Sequence, residues 1–218
     1  MTFNLCWVTT QIIMADNDKS PIVPDQQTGR AIDAVSTVEL VKDEEAKAFF
    51  ALAKEKLQDV NHWKDIAGTL SATFKLVDAS GNEVHRKVEK GDYFKIDIPG
   101  PGTKSGEGFD WVQIEEVENI ALPDGERFGF RVRPSDNPQN QKPDIAHFYS
   151  DESTSSFVVE RRNNTVTASV YDRNTKPNTD ADKPIDKIRD AIVGAAGVAT
   201  FSKIQWKNLT DGLVDQNV

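Results

Sequence analysis

One strand-like segment stands alone near the start of this chain. Two helical segments follow it, then a long series of alternating segments, then a helical stripe that runs almost to the end. That order constrains the fold more than any motif does. The first segment runs from Val35 to Val41. Asp43 stands where it can cap the next helix, with Glu44 and Glu45 in the first turn, where the dipole favours negative charge. Ala46, Phe49, Phe50, Ala53 and Leu57 recur at helical spacing and make one apolar stripe. Asn61 to Ala67 reads as a second, short helix that carries Trp63 and Ile66 inward and ends at Gly68.

From Leu70 to Tyr171 the period changes to two. Leu70, Ala72, Phe74 and Leu76 share one side, as do Phe94, Ile96 and Ile98, then Val112 and Ile114, then Phe128, Phe130 and Val132. Phe157 with Val159, and Val166 with Ala168 and Val170, continue the pattern, and polar residues fill most intervening positions. Successive strand side chains point to opposite faces. The pattern therefore predicts an antiparallel sheet with one buried and one wetter face. Asp78 to Asn82 and Arg162 to Asn164 carry the residues that tight turns favour, so hairpins are expected there. At the end, Ile188, Ile192, Ala195, Ala199, Ser202, Trp206, Leu209 and Leu213 form a helical stripe. Gly194 and Gly197 interrupt it, which predicts a kink, or two helices with Thr200 or Ser202 capping the second.

A sheet with one apolar face needs a cover, and the terminal helix and the early helix pair supply it. The predicted fold is α+β: a seven-stranded, twisted antiparallel sheet wrapped around a C-terminal helix. Residues 1–34, polar from Asp16 onward with Pro21, Pro24 and Gly29, read as a mobile N-terminal tail, and residues 35–218 as a single domain. Phe3 to Met14 is fairly apolar, but no Lys or Arg precedes it and it is too short to span a bilayer. Met14 reads as an alternative start to Met1.

The length of 218 residues suits one domain with a real core. A net charge of -9 argues against nucleic acid or anionic membrane as the main partner, because phosphate binding needs a basic surface. Cys6 is the only cysteine, which excludes an intramolecular disulfide and cysteine-based metal clusters. The expectation is a cytoplasmic protein with no cofactor, no metal and no membrane insertion, its oligomeric state open. The triplets at Asn163 and Asn208 that match the glycosylation pattern are read as chance.

The order strand, two helices, six strands and a long C-terminal helix resembles the START-like, or helix-grip, superfamily, which includes polyketide cyclases and the birch pollen allergen family. The similarity covers about residues 35–214 and rests on element order, on the helix pair with Trp63 near its end, and on the terminal helix. Gly100-Pro101-Gly102-Thr103-Lys104 is similar to the glycine-rich loop of the pollen allergens. Here it follows the third strand, whereas that family's loop joins the second and third. The long segment from Pro134 to Tyr149 also departs from a compact version of the fold. The resemblance implies a cavity between sheet and helix that holds an apolar small molecule. Periodicity alone shows no cavity, because a filled core gives the same pattern.

The candidate chemistry lies in loops and on strand faces. Gly100 to Gly108 fails as a phosphate loop: Thr103 stands where a glycine must precede the lysine, and a strand follows instead of a helix. His62, His85 and His147 lack metal-ligand spacing. His147, after a Pro-rich loop, is a candidate acid, base or ligand donor, or else a structural histidine bonded to loop backbone. Asp172 to Asn178 is dense in polar side chains, and with Asp110, His147 and Tyr149 it can form a cluster at one sheet end, or simply a turn. Arg127, Arg131 and Arg133 share a strand face and bind either an anion or the nearby Glu115 and Glu160. Ser153 to Ser156 lacks the glycines of a nucleophile elbow.

Three functions follow. The first is a soluble binding module for an apolar small molecule, lined by Trp63, Trp111, Arg131, Tyr149 and Trp206. The second is a cyclase- or hydrolase-like enzyme using His147, Arg173 and Asp110 for proton transfer and oxyanion support. The third is a structural or interaction domain with a filled core.

Overall fold

The structure is a computed structural model, and it describes residues 20–68, 72–98, 108–140, 147, 149–176 and 200–217. The apolar stretch before Met14, the loop from Gly100 to Glu107 and the stripe from Ile188 to Ala199, with its expected kink, lie outside the described residues.

The elements are β1 (Arg30–Glu39), α1 (Asp43–Gln58), a 3-10 turn (Val60–His62), α2 (Trp63–Ala67), β2 (Thr73–Val77), β3 (Tyr93–Asp97), β4 (Asp110–Leu122), β5 (Gly125–Pro134), β6 (Thr154–Arg162) and β7 (Thr165–Thr175). A last helix, α3, spans residues 200–213. The seven strands form one sheet in the order β1-β7-β6-β5-β4-β3-β2. Every neighbouring pair is antiparallel. The first strand thus pairs with the last, and the helices cover one face. This is the helix-grip fold.

Alternation assigns the faces. Phe74, Leu76, Phe94, Ile96, Val112, Ile114, Phe128, Phe130, Val132, Phe157, Val159, Val166, Ala168 and Val170 are buried beneath the helices. From α3, Trp206, Leu209 and Leu213 join that inner layer, as the stripe predicts. Polar pairs also fasten α3: Gln205 Oε1 accepts the Ala72 N–H at 3.0 Å, and Ser36 Oγ on β1 lies 2.8 Å from Thr210 Oγ1.

Three local features differ from the sequence reading. The segment before β1 is not a mobile tail where it is described. Ile22 is buried, and its carbonyl accepts the Ser156 hydroxyl at 2.8 Å and Arg131 Nη1 at 3.3 Å. Asn174, at φ 56°, holds the same segment: its Oδ1 accepts the N–H groups of Gln27 and Thr28 at 2.7 and 3.1 Å. Residues 20–29 therefore pack on the outer face, and β1 starts at Arg30 rather than Val35. Polar composition suggested a free tail, but one buried isoleucine and a few side-chain acceptors outweigh it.

The second difference is in β4, which runs for 13 residues and carries a register shift between Ile114 and Glu116. The bulge turns Glu115 outward and brings Val117 into line opposite Phe130. It breaks the alternation, so the strand reads as shorter than it is. The third is at the start of α1, where Asp43 lies inside the first turn and Lys42 occupies the N-cap. The Asp43 carboxylate accepts Lys47 Nζ and Arg161 Nη1, each at 2.6 Å, instead of capping backbone.

Ile22→Ala should cost about 2–5 kcal/mol, as expected for a buried isoleucine. Urea unfolding measures it, and a change within about 0.5 kcal/mol, typical of exposed positions, would return residues 20–29 to the status of a tail.

Candidate functional site

Polar residues interrupt the apolar inner face at one end of the sheet. Along β7 the series Val166, Ala168, Val170 continues to Asp172. On β6 the series Val159, Phe157 leads back to Ser155, and on β4 Ile114, Val112 leads back to Asp110. Because the strands are antiparallel, the start of β4, the end of β5, the start of β6 and the end of β7 meet at the same edge.

Asp172 is about 1% exposed. Its Oδ1 accepts the Ser155 hydroxyl at 2.7 Å, across the β6–β7 pair, and its Oδ2 accepts the Trp206 Nε1–H of α3 at 3.0 Å. Burial pushes its carboxyl up to about 6, against the pull of those two donors and of the nearby Arg173 charge. Tyr149 lies above the same region, its hydroxyl 3.3 Å from Ser202 Oγ on α3. Burial pushes the Tyr149 phenol up to about 12, and the negative charge of Asp172 adds to the effect. His147 Nδ1 accepts the Tyr149 N–H at 3.0 Å, and the two rings lie 5.8 Å apart. A cavity of about 20 Å³ lies here, apolar on the side of Val112, Val132 and Pro134 and polar on the side of His147, Tyr149, Ser153, Thr154, Ser155 and Thr175. It has room for one water-sized group.

The predicted site residues divide between the two sides of the sheet. Asp110, His147, Tyr149, Trp63 and Trp206 belong to the inner side. Trp63 lies deep in the centre, its indole against Phe74, Phe94, Phe130 and Phe157. Arg173 leaves through the outer face, where Nη1 reaches Asp33 Oδ1 at 2.5 Å and the guanidinium lies 5.2 Å over the Tyr171 ring. It therefore does not converge with His147 and Asp110. Trp111 is also on the outer side, buried with Val77 beside Tyr93 and Phe109.

Arg131 is outer too. It gives Nε to Glu115 Oε2 at 2.9 Å, and Arg133 binds the same carboxylate. Burial pushes the Glu115 carboxyl up, but the hydrogen bonds from Arg133 and Arg131 win and hold it below its ordinary value. Arg127 pairs with Glu160 at 2.5 Å. These arginines form ion pairs with the two glutamates that the strand pattern nominates.

Sequence reasoning left Asp172 in a polar run that forms either a cluster at the sheet end or a turn, and did not single it out. The signal for it was present: a carboxylate at the next inner position of an apolar period-two series.

No family model and no curated protein matches the chain. Solved structures do. Hypothetical protein jhp0584 from Helicobacter pylori is 16% identical over 86% of this chain and 87% of that one, with a TM-score of 0.48. Ginseng major latex-like protein 151 from Panax ginseng is 15% identical over 79% and 97%, with a TM-score of 0.32. Truncated norcoclaurine synthase from Thalictrum flavum is 8% identical over 89% and 100%, with a TM-score of 0.36. No helix among the described residues is long and apolar enough to cross a membrane.

The raised pKa of Asp172 sets a pH dependence. The folded chain holds this proton up to about pH 6, whereas the unfolded chain releases it near 3.8. The stability this contributes is complete below the unfolded value and is lost as pH rises through the folded one. Asp172→Asn should therefore stabilise the chain at pH 8, by at most about 3 kcal/mol, and lose that advantage towards pH 4. Urea midpoints at the two pH values measure it. A difference between the two proteins that does not change with pH would contradict the assignment.

Proposed function

We propose that this chain binds an apolar small molecule between the sheet and α3, at the polar end of the inner face. The observation that carries the reading is Asp172. Its carboxylate is buried on an apolar register and is held by one donor from the sheet and one from the helix. Burying a charge is costly, so a perturbed buried carboxylate nominates a site, and its partner Ser155 lines the small cavity. Tyr149, Ser202 and His147 add polar groups around it, and Val112, Val132 and Pro134 add an apolar wall. The element order shared with the helix-grip fold supports the same location.

A second reading has its own support. The centre of the inner face is filled by Trp63, Phe74, Phe94, Phe130, Phe157 and Trp206, whose rings pack in mutual contact. That packing favours a structural or interaction domain. The enzyme reading built on His147 and Arg173 receives no such support, because Arg173 is committed to Asp33 on the other face.

Titration with the neutral dye N-phenyl-1-naphthylamine separates the two. Binding predicts saturable emission at one dye per chain, weakened at least tenfold by Ser155→Leu, which fills the space beside Asp172. Circular dichroism melts confirm that the variant folds. Failure of the dye to saturate on the wild-type chain would leave the filled-core reading.

A further inference from the structure

Among the described residues, the Asp172 carboxylate has neutral donors and no cation. Its two oxygens accept one O–H from Ser155 and one N–H from Trp206. A carboxylate offers about four lone-pair directions, so the described donors fill about half of them. The nearby described cations point elsewhere. Arg173, its chain neighbour, pairs with Asp33 on the outer face and touches only the Asp172 main-chain oxygen, at 2.8 Å. Lys207, next to Trp206 on α3, reaches Asp211 and Ser36. Lys176 pairs with Glu152 at 2.7 Å. Arg30, at the start of β1, is exposed.

A second observation lies beside it. Ser155, whose hydroxyl binds Asp172, lines the small cavity together with Tyr149 and the apolar Val112, Val132 and Pro134. A buried negative charge therefore stands next to room for one water-sized group against an apolar wall. A protonated amine matches all three: it is cationic, it is water-sized, and it sits at the end of an apolar body.

We propose that the small molecule bound by this chain carries a basic nitrogen, whose protonated amine docks against Asp172. This rests on the binding reading above and adds the chemical class of the ligand. A net charge of -9 on the chain acts in the same direction, because it attracts cations and repels anions at long range.

A matched pair of probes tests it on the full chain at neutral pH. 1-Naphthylmethylamine and 1-naphthalenemethanol share an aromatic body and differ in the cationic nitrogen. Calorimetric titration should show the amine binding at least tenfold more tightly than the alcohol. In Asp172→Asn that preference should fall to less than twofold. Equal affinity for the two probes in the wild-type chain would overturn the basic nitrogen and leave the binding reading intact. So would an amine preference that survives Asp172→Asn. Binding of neither probe would remove both readings. Should Asp172→Asn not fold, the wild-type comparison decides alone.

Discussion

Trp63 is the side chain on which the inner layer depends. It opens a helix of five residues, which is too short to hold its shape by propensity. What fixes it is packing on every side. The indole centroid lies 5.2 Å from Phe74, 5.6 Å from Phe94, 6.2 Å from Phe130 and 5.0 Å from Phe157, rings that come from β2, β3, β5 and β6. Its N–H donates at 3.1 Å to the Leu57 carbonyl near the end of α1. One residue thus joins the first helix to four strands, and Trp206 extends the cluster to α3 at 5.1 Å from Phe157. Edge-to-face and stacked pairs add about 0.5–1.5 kcal/mol each beyond the area they bury.

Filling the centre with rings pushes the polar groups of the inner face to its margins, where they fasten α3. Trp206 meets Asp172 on β7, Gln205 meets the backbone ahead of β2, and Thr210 meets Ser36 on β1. Gly212 allows α3 to approach α2 closely: a Cβ there would stand 2.5 Å from the Ile66 carbonyl oxygen. Packing alone leaves a helix free to slide along an apolar sheet. Directional pairs at three points set its register, and they place Trp206 and Ser202 over the polar end.

The fold was legible in the order of periods, because the sheet is antiparallel and its two faces meet different surroundings. Where alternation held, as in β7, the inner residues were read correctly. Where backbone geometry broke it, as at the Glu115 bulge, the strand looked short. The segment around Ile22 escaped notice because a single buried apolar side chain makes no pattern. Arg173 and Trp111 were misplaced because a residue's type was weighed above its register. Odd positions on β7 face outward beside Tyr171, whatever chemistry they carry. The same register rule finds Asp172, which composition had hidden in a polar run.

Asp172 does two things, and only one of them needs its charge. As an acceptor for Trp206 and Ser155 it ties α3 to β7 and β6. A neutral amide of the same shape could accept from the indole and donate to the hydroxyl, so the fastening is satisfied without ionisation. The negative charge adds a desolvation cost that the two neutral donors only partly offset, which is why the carboxyl titrates so far above its ordinary range. Among the described residues no cation binds the carboxylate, and Arg173 pairs with Asp33. The charge is therefore the part of this residue that the architecture does not use. It stands at the margin where β4, β5, β6 and β7 all present their ends.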